Sequence, residues 1–496
     1  MWVRDPQPTT REGQVGPFGV AERPVVVMTP GNAGESEGAL VQGQCTKRHE
    51  SREIGMSLPT LPKVQKLQDT LHAKAKGSSE FRFYALYDKI YRDDVLWVAH
   101  RRCLLNKGAA GVDGQTFEDI EAYGVKKWLG ELAEELRKKT YCPQPVRRVY
   151  IPKPDGKQRP LGIPTIKDRV VQMAAVLVLE PIFEADLEPE QHAYRPGRGA
   201  LDAVRQVHSL LNTGHTEVVD ADLSGYFDSI PHAELMKSVS RRISDRHVLR
   251  LIKMWLEAPV EEIDKRGRRH RTTRNKDERR GCPQGAPISP LLSNLYMRRF
   301  ILGWKTLGHQ ERLRAKIVNY ADDFVICCRG TAEEAMQAMR NMMRRLKLTV
   351  NETKTSLRRV PDESFDFLGY TIGRCHSPKT GRAYIGTRPS RKKITRLCRE
   401  ISEATGRRWT LKDVEDRVTQ LNRKLIGWSN YFCLGPVSKA YAAVDQHACK
   451  RLRQWLCTKH KVRGSGTARF PDQHLHQELG LVRLSVRTRN FPWAKT

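Results

Sequence analysis

Tyr320-Ala321-Asp322-Asp323 sits between two apolar runs, Ile317-Val318 before it and Phe324-Val325-Ile326-Cys327-Cys328 after it. Both runs are of strand length, so the pattern predicts a β-hairpin with the two carboxylates at its tip. Two unit charges about 4 Å apart repel by roughly 4 kcal/mol at the effective dielectric of a protein surface, and a bound cation removes that cost. Aspartate is also a common residue of solvated turns. Alone, the tetrapeptide supports both readings equally, and the rest of the chain decides between them.

The chain has 496 residues and a formal net charge of +31. A compact protein with that excess repels itself, which is best tolerated when the partner is a polyanion. Basic residues run from Lys63 to Lys495 and not in one tail, so nucleic acid is the leading partner and an anionic membrane surface the weaker one. The longest apolar stretch, Met173 to Leu179, falls far short of the roughly 20 residues that span a bilayer. No secretory signal is visible, and eleven cysteines without Cys-x-x-Cys spacing resemble neither a disulfide framework nor a zinc site. These features lead us to expect a reduced, intracellular protein.

Residues 1–56 are rich in Gly, Pro, Glu and Gln and show no sustained period, the pattern of a disordered extension. Helical periodicity begins at Lys63. Val149 and Ile151, an Asp155-Gly156 turn, then Leu161 and Ile163 predict a second hairpin. Lys153 and Arg159 flank its tip, a pairing of point charge and planar fork that suits a triphosphate, though lone surface cations are more often solvated. Val218, Val219, Ala221 and Leu223 make a strand with Asp220 or Asp222 near its end. The basic run 265–280 reads as an exposed loop. Ser289-Pro290 opens a helix as N-cap and first residue, and Thr331-Ala332-Glu333-Glu334 reads as a capping box. From Ile394 to Leu456 the period is helical again, with Leu411 placed on the apolar face.

Strand-end Asp222 and hairpin-tip Asp322, brought together on neighbouring strands, would hold two divalent ions roughly 3.5 to 4 Å apart. Carboxylate oxygens are the ligands that Mg²⁺ prefers. Lys153 and Arg159 would neutralise a nucleoside triphosphate, since phosphoryl transfer is mostly positioning and charge stabilisation.

This set resembles the reverse transcriptases of bacterial group II introns, also called intron maturases. The residues that carry the resemblance are Ile151 to Pro164, Ala221-Asp222 to Phe227-Asp228, Pro283-Gln284-Gly285, Tyr320 to Asp323, Lys354 and Phe367-Leu368-Gly369. In order and spacing the set is specific, and it covers nearly everything from Lys63 onward.

The resemblance implies an α+β right-hand polymerase: fingers, a palm built on an antiparallel sheet, and a helical thumb that is also maturase domain X. Fingers and palm would occupy 57–375, thumb and domain X 376–456, and a basic tail 457–496. It implies Asp222, Asp322 and Asp323 as catalytic carboxylates and metal ligands, with Leu223 lending a backbone carbonyl to a metal. Phe227 matches the steric gate against a ribose 2′-hydroxyl. Gln284 lines the nucleotide pocket, and Lys153, Arg159, Leu223 and Lys354 complete the nucleotide-binding set. The cofactors implied are two Mg²⁺ ions. The partners are group II intron RNA, an RNA template with DNA primer, target DNA and dNTPs, with no membrane and the oligomeric state left open.

Leu421 to Phe432 looks like domain X, which separates this reading from retron, diversity-generating and defence relatives. Two departures stand out: Cys282 where the family commonly has Thr, and no paired-cysteine endonuclease before Thr496. The second implies an enzyme that relies on an existing nick or nascent strand for integration. The expected activity is RNA-directed DNA synthesis joined to intron splicing, in a bacterial cytoplasm and at the nucleoid when acting on DNA. The rival is an RNA-binding splicing cofactor without polymerase activity.

Overall fold

The computed structural model describes residues 61–152, 158–264, 266–377 and 379–487. The extension at 1–56, Lys153 and the Asp155-Gly156 turn lie outside them. Eleven strands follow along the described chain: β1 (Val146–Pro152), β2 (Gln158–Ile163), β3 (Glu217–Ala221), β4 (Val260–Ile263), β5 (Arg269–Thr272), β6 (Ala315–Tyr320), β7 (Asp323–Cys328), β8 (Ser356–Arg359), β9 (Phe365–Phe367), β10 (Tyr370–His376) and β11 (Ala383–Pro389).

The acidic hairpin forms as its pattern predicts. β6 and β7 pair antiparallel with Tyr320 opposite Asp323, which leaves Ala321 and Asp322 as a two-residue turn. The sheet order is β6-β7-β3-β8, antiparallel throughout. β7 is an inner strand with both faces covered, so Phe324 to Cys328 are all buried and read as a continuous apolar run. Side chains alternate between the faces. Phe324, Ile326 and Cys328, with Val219 and Ala221, join the core of the helices Ile166–Glu184, Ser289–Thr306 and Ala332–Arg345. Val325, Cys327 and Val218 pack against the helix Ala200–Asn212 and the small sheet β11-β10-β9.

The almost wholly apolar helix Ile166–Glu184 carries Pro181 inside it. Proline has no N–H, so the carbonyl four residues earlier loses its helical partner. Gln68, from the helix Pro62–Gly77, supplies one: its Nε2 donates to the Leu177 carbonyl at 3.0 Å.

Several expectations are corrected. The basic run 265–280 is exposed but is not simply a loop, because β5 lies within it, pairs with β4, and β4 pairs parallel with β1, giving the order β2-β1-β4-β5. β5, Arg-His-Arg-Thr, is an edge strand wet on both faces, so it has no apolar alternation to read. It is held partly by the buried carboxylate of Glu261, which meets Arg271 at 2.8 Å and Arg269 at 3.5 Å. The capping box at Thr331 does not form: its hydroxyl donates to the Leu313 carbonyl, and Glu217 accepts from the Ala332 N–H at 3.1 Å. Ser289 is the first residue of its helix, with Ile288 as N-cap, and its hydroxyl donates to the Pro283 carbonyl at 2.8 Å.

The helices Arg391–Ala404, Val414–Tyr431 and Ser438–Lys459 build a core of their own around Leu397, Leu421, Leu425, Leu452 and Trp455. The expected division at 375/376 falls within the β10–β11 hairpin, which stays paired from Tyr370 to His376. The stretch after Lys459, expected as a basic tail, returns to this core. Phe470, Leu475, Leu481 and Leu484 are buried in it, and Asp445 accepts from the backbone N–H groups of Leu484 and Ser485 at 2.8 and 2.9 Å. Leu411 is 97% exposed because it precedes the N-cap Asp413 and so lies outside the helix. No helix among the described residues is long and apolar enough to cross a membrane.

Candidate active site

The register of β3 against β7 places Ala221 opposite Phe324, and one step further brings Asp222 across from Asp323. Two carboxylates a hundred positions apart in the chain thus meet beside the turn that carries Asp322. The turn is held under strain. Ala321 has φ +58°, a region that costs a non-glycine residue about 1–3 kcal/mol. Fully buried Asn319 steadies it, its Nδ2 donating to the Ala321 carbonyl at 2.8 Å. Asn319 is itself fixed by backbone bonds to Glu190 and His192, at 2.9 and 3.0 Å.

Asp222 accepts from Asn351 Nδ2 at 2.9 Å and faces the Lys354 ammonium at 3.3 Å. Asp323 is pushed up from 3.8 to about 7, first by desolvation, then by Asp322, Asp222 and Asp220, with Lys354 opposing. As a residue Asp323 still keeps contact with solvent at the sheet end. Asp220 is pushed up to about 6, mainly by burial. Among the described residues no three His, Cys, Asp or Glu side chains converge tightly enough to enclose a metal ion. The positive charge beside Asp222 comes from Lys354. Carboxylates gathered at one sheet end form an oxygen donor set that suits a hard divalent cation, so Asp222, Asp322 and Asp323 fit one.

The sign of the pH dependence follows. A raised carboxyl pKa gives stability that is fully present below about pH 4 and lost as pH rises through about 7. Metal-free protein should therefore lose Tm between about pH 6 and about pH 8, and Mg²⁺ should raise Tm more at the higher pH. Thermal unfolding with EDTA or Mg²⁺ at both values checks this, with Asp323→Asn expected to flatten the difference.

The other wall is stitched by backbone bonds. Cys282 N–H donates to the Phe227 carbonyl at 2.7 Å, Gly281 N–H to Ile230 at 2.9 Å, and Gly162 N–H on β2 to the Gln284 carbonyl at 2.7 Å. The strand of Arg159 is thereby joined to the loops of Phe227 and Gln284. Gly285 is required at this joint: its φ is +104°, and a Cβ there would lie 2.7 Å from the Gly162 carbonyl oxygen. Cys282 is buried and its thiol is pushed up to about 12 by desolvation, so it acts as a small apolar side chain. Leu223 is buried and bridges to Val350. Tyr194 is pushed up to about 12 by burial and by Asp322 and Tyr320, while Arg159 opposes, which puts it between the β2 arm and the acids.

The structure thus brings together Asp222, Asp322, Asp323 and Lys354 on one side, and Phe227, Gln284 and the Arg159 strand on the other. Sequence reasoning missed Asn351, Asn319, Tyr194 and Lys393. Asn351 had a signal, as the polar residue opening the turn that carries Lys354. Lys393, whose pKa is lowered by burial and raised by Asp323, comes from a helix beyond the sheet and had none.

An antiparallel sheet that carries the acids, a second sheet built on the β1–β2 hairpin and a C-terminal helical region fit the right-hand fold of a nucleic-acid polymerase. Residues 151–372 match the family described as reverse transcriptase (RNA-dependent DNA polymerase), and residues 394–470 match the maturase-specific domain of group II introns. The chain is 34% identical to protein YkfC of Escherichia coli over 66% of its own length and 93% of that protein's. It is 29% identical to the group II intron-encoded protein LtrA of Lactococcus lactis, covering 58% of this chain and 57% of LtrA. A putative COX1/OXI3 intron 1 protein of Saccharomyces cerevisiae is 28% identical, over 56% of this chain and 38% of its own. The chain belongs to the group II intron reverse transcriptase–maturase family. It is an RNA-directed DNA polymerase with an intron-RNA-binding maturase domain, of a family that uses divalent metal ions.

Proposed function

We propose that Asp222, Asp322 and Asp323 are the centre at which this reverse transcriptase extends a DNA primer along an RNA template, with two Mg²⁺ ions as cofactors. The observation that carries the reading is the register, which sets Asp222 beside Asp323 and the Asp322 turn at one sheet end, where desolvation first and then the neighbouring acids raise Asp323 to about 7. Bound Mg²⁺ would acidify the primer 3′-hydroxyl and steady the leaving pyrophosphate. The chain's own residues do the positioning. Asn351 and Lys354 orient Asp222, Asn319 holds the Asp322 turn, and Leu223 offers a backbone carbonyl next to Asp222. Arg159 and Lys153 neutralise the incoming triphosphate, Gln284 lines its pocket, and Phe227 stands against the sugar.

Fingers and palm run to Pro389 in this reading, and thumb and domain X from Ser390. The remaining partners are target DNA and dNTPs, with intron RNA gripped for splicing and retromobility, and the protein works in the cytoplasm and at the nucleoid. Phe227→Ala tests the sugar-facing assignment. Losing one ring from a fitted pocket changes discrimination by about 10–100-fold, so incorporation of ribonucleotides relative to deoxynucleotides should rise by about that factor in single-turnover extension. An unchanged ratio would remove Phe227 from the gate. Extension that persists in EDTA would remove the metals.

A further inference from the structure

We infer that the base of the β6–β7 hairpin, at the opposite end from the acids, is a second binding site that takes a phosphate group. The register sets Ala315 opposite Cys328 and Lys316 opposite Cys327, so Arg314 and Arg329 are the residues that flank the last pair of the hairpin. Lys316 is exposed on β6 between buried Ala315 and Ile317. These three cations line a cleft of about 290 Å³ with His215, Gln310 and Glu311.

The cluster carries three cations against the single carboxylate of Glu311. Among the described residues none of Arg314, Lys316 and Arg329 has a carboxylate within ion-pairing distance, whereas neighbouring Arg312 reaches Glu334 at 3.8 Å. Glu311 accepts from Gln310 at 3.2 Å. Arg329 gives one N–H to the Thr213 carbonyl, which fixes its guanidinium at the rim. Arg314 sits at φ +43°, a backbone region where a basic side chain is uncommon. The pKa of buried His215 is lowered by burial and then by Arg329 and Lys316, which shows how near both cations lie.

A solvated face spreads its cations, but these converge on one cleft and none of the three forms an ion pair among the described residues. An anion resolves the repulsion, and arginine forks with a lysine point charge suit phosphate oxygens. The site is distinct from the catalytic cleft: six strand residues at about 3.4 Å each separate them by roughly 20 Å. The phosphate comes either from a nucleic-acid strand crossing the rear of the palm or from a free compound such as pyrophosphate, which the polymerase releases.

Full-length protein, Lys316→Gln, and Lys316→Gln with Arg314→Asn provide the test, asparagine being tolerant of positive φ. Two readings are taken: Tm against pyrophosphate, and the salt dependence of single-stranded RNA binding. Each phosphate that the protein no longer neutralises lowers the salt slope by about 0.7, so the double variant should lose about 1.4. That fall in slope without a pyrophosphate effect identifies a nucleic-acid strand. A saturable pyrophosphate rise in Tm, absent from the double variant with the slope unchanged, identifies a free phosphate compound. Neither response in the wild-type comparison overturns the site. Because the variants relieve repulsion, their Tm at low salt should equal or exceed the wild type. A fall in the single variant as well as the double would show that the protein itself satisfies these cations and would equally overturn it. Extension of a short primer–template is expected within about twofold of wild type in both variants, since they lie far from the acids.

Discussion

Asp322→Ala is expected to lower RNA-templated extension of a DNA primer by about 10³-fold or more. Stabilisation of transition-state charge by a metal held on carboxylates is worth several kcal/mol, and each ~1.4 kcal/mol is a factor of ten in rate. The fold should survive. Asp322 occupies the two-residue turn, and its removal relieves part of the repulsion that raises Asp323. The metal-free variant should therefore melt no lower than the wild type, and its affinity for intron RNA should be unchanged. Single-turnover extension, thermal melting and filter binding on one preparation separate the outcomes. Equal extension in variant and wild type would support the splicing-cofactor reading over the polymerase one.

Arg195→Ala is the largest expected loss of stability. The guanidinium is almost fully buried and reaches Glu184 through both Nε and Nη2, at 3.0 and 2.6 Å. Its Nη1 donates to the carbonyls of Glu188 and Gln191, at 2.7 and 2.8 Å. Truncation strands the Glu184 carboxylate and two carbonyls, and breaking a buried pair from one side costs about 3–5 kcal/mol. The consequence reaches the site, because Glu190 and His192 hydrogen-bond the Asn319 backbone and Asn319 holds the Asp322 turn. A lower urea midpoint with an unchanged slope is expected, together with slower extension. Changing Glu184 to Gln alongside Arg195→Ala should recover part of the stability, since no charge is then left unpaired.

The hairpin was legible because both signals were local: apolar runs of strand length and a two-residue acidic turn. The strand of Asp222 was legible for the same reason, although the sequence left Asp220 and Asp222 as alternatives. Both belong to the cluster, and Asp222 is the one that meets Asp323 in register and Lys354 in space. β5 was illegible since neither of its faces is buried, so charge alone governed its composition. Thr331 had the pattern of a capping box, but its hydroxyl is satisfied by Leu313 across the sheet, a competition that no local pattern reveals. The β10–β11 hairpin, which spans the expected 375/376 division, was illegible because Arg374, His376 and other polar residues on its outer face hide the strand period. The resemblance to group II intron enzymes supplied the roles of Gln284 and Phe227. Their adjacency rests on the backbone bond between Cys282 and Phe227, which no spacing rule contains.

The central claim is that Asp222 and Asp322, from distant parts of the chain, work as one centre. A double-variant cycle measures that directly: single-turnover incorporation of one dNTP on an RNA template by Asp222→Asn, Asp322→Asn and the pair together. Groups that act as a unit are strongly non-additive. The double variant should then be no slower than the worse single one, within about threefold. Losses that multiply, or a single variant with wild-type rate, would contradict it.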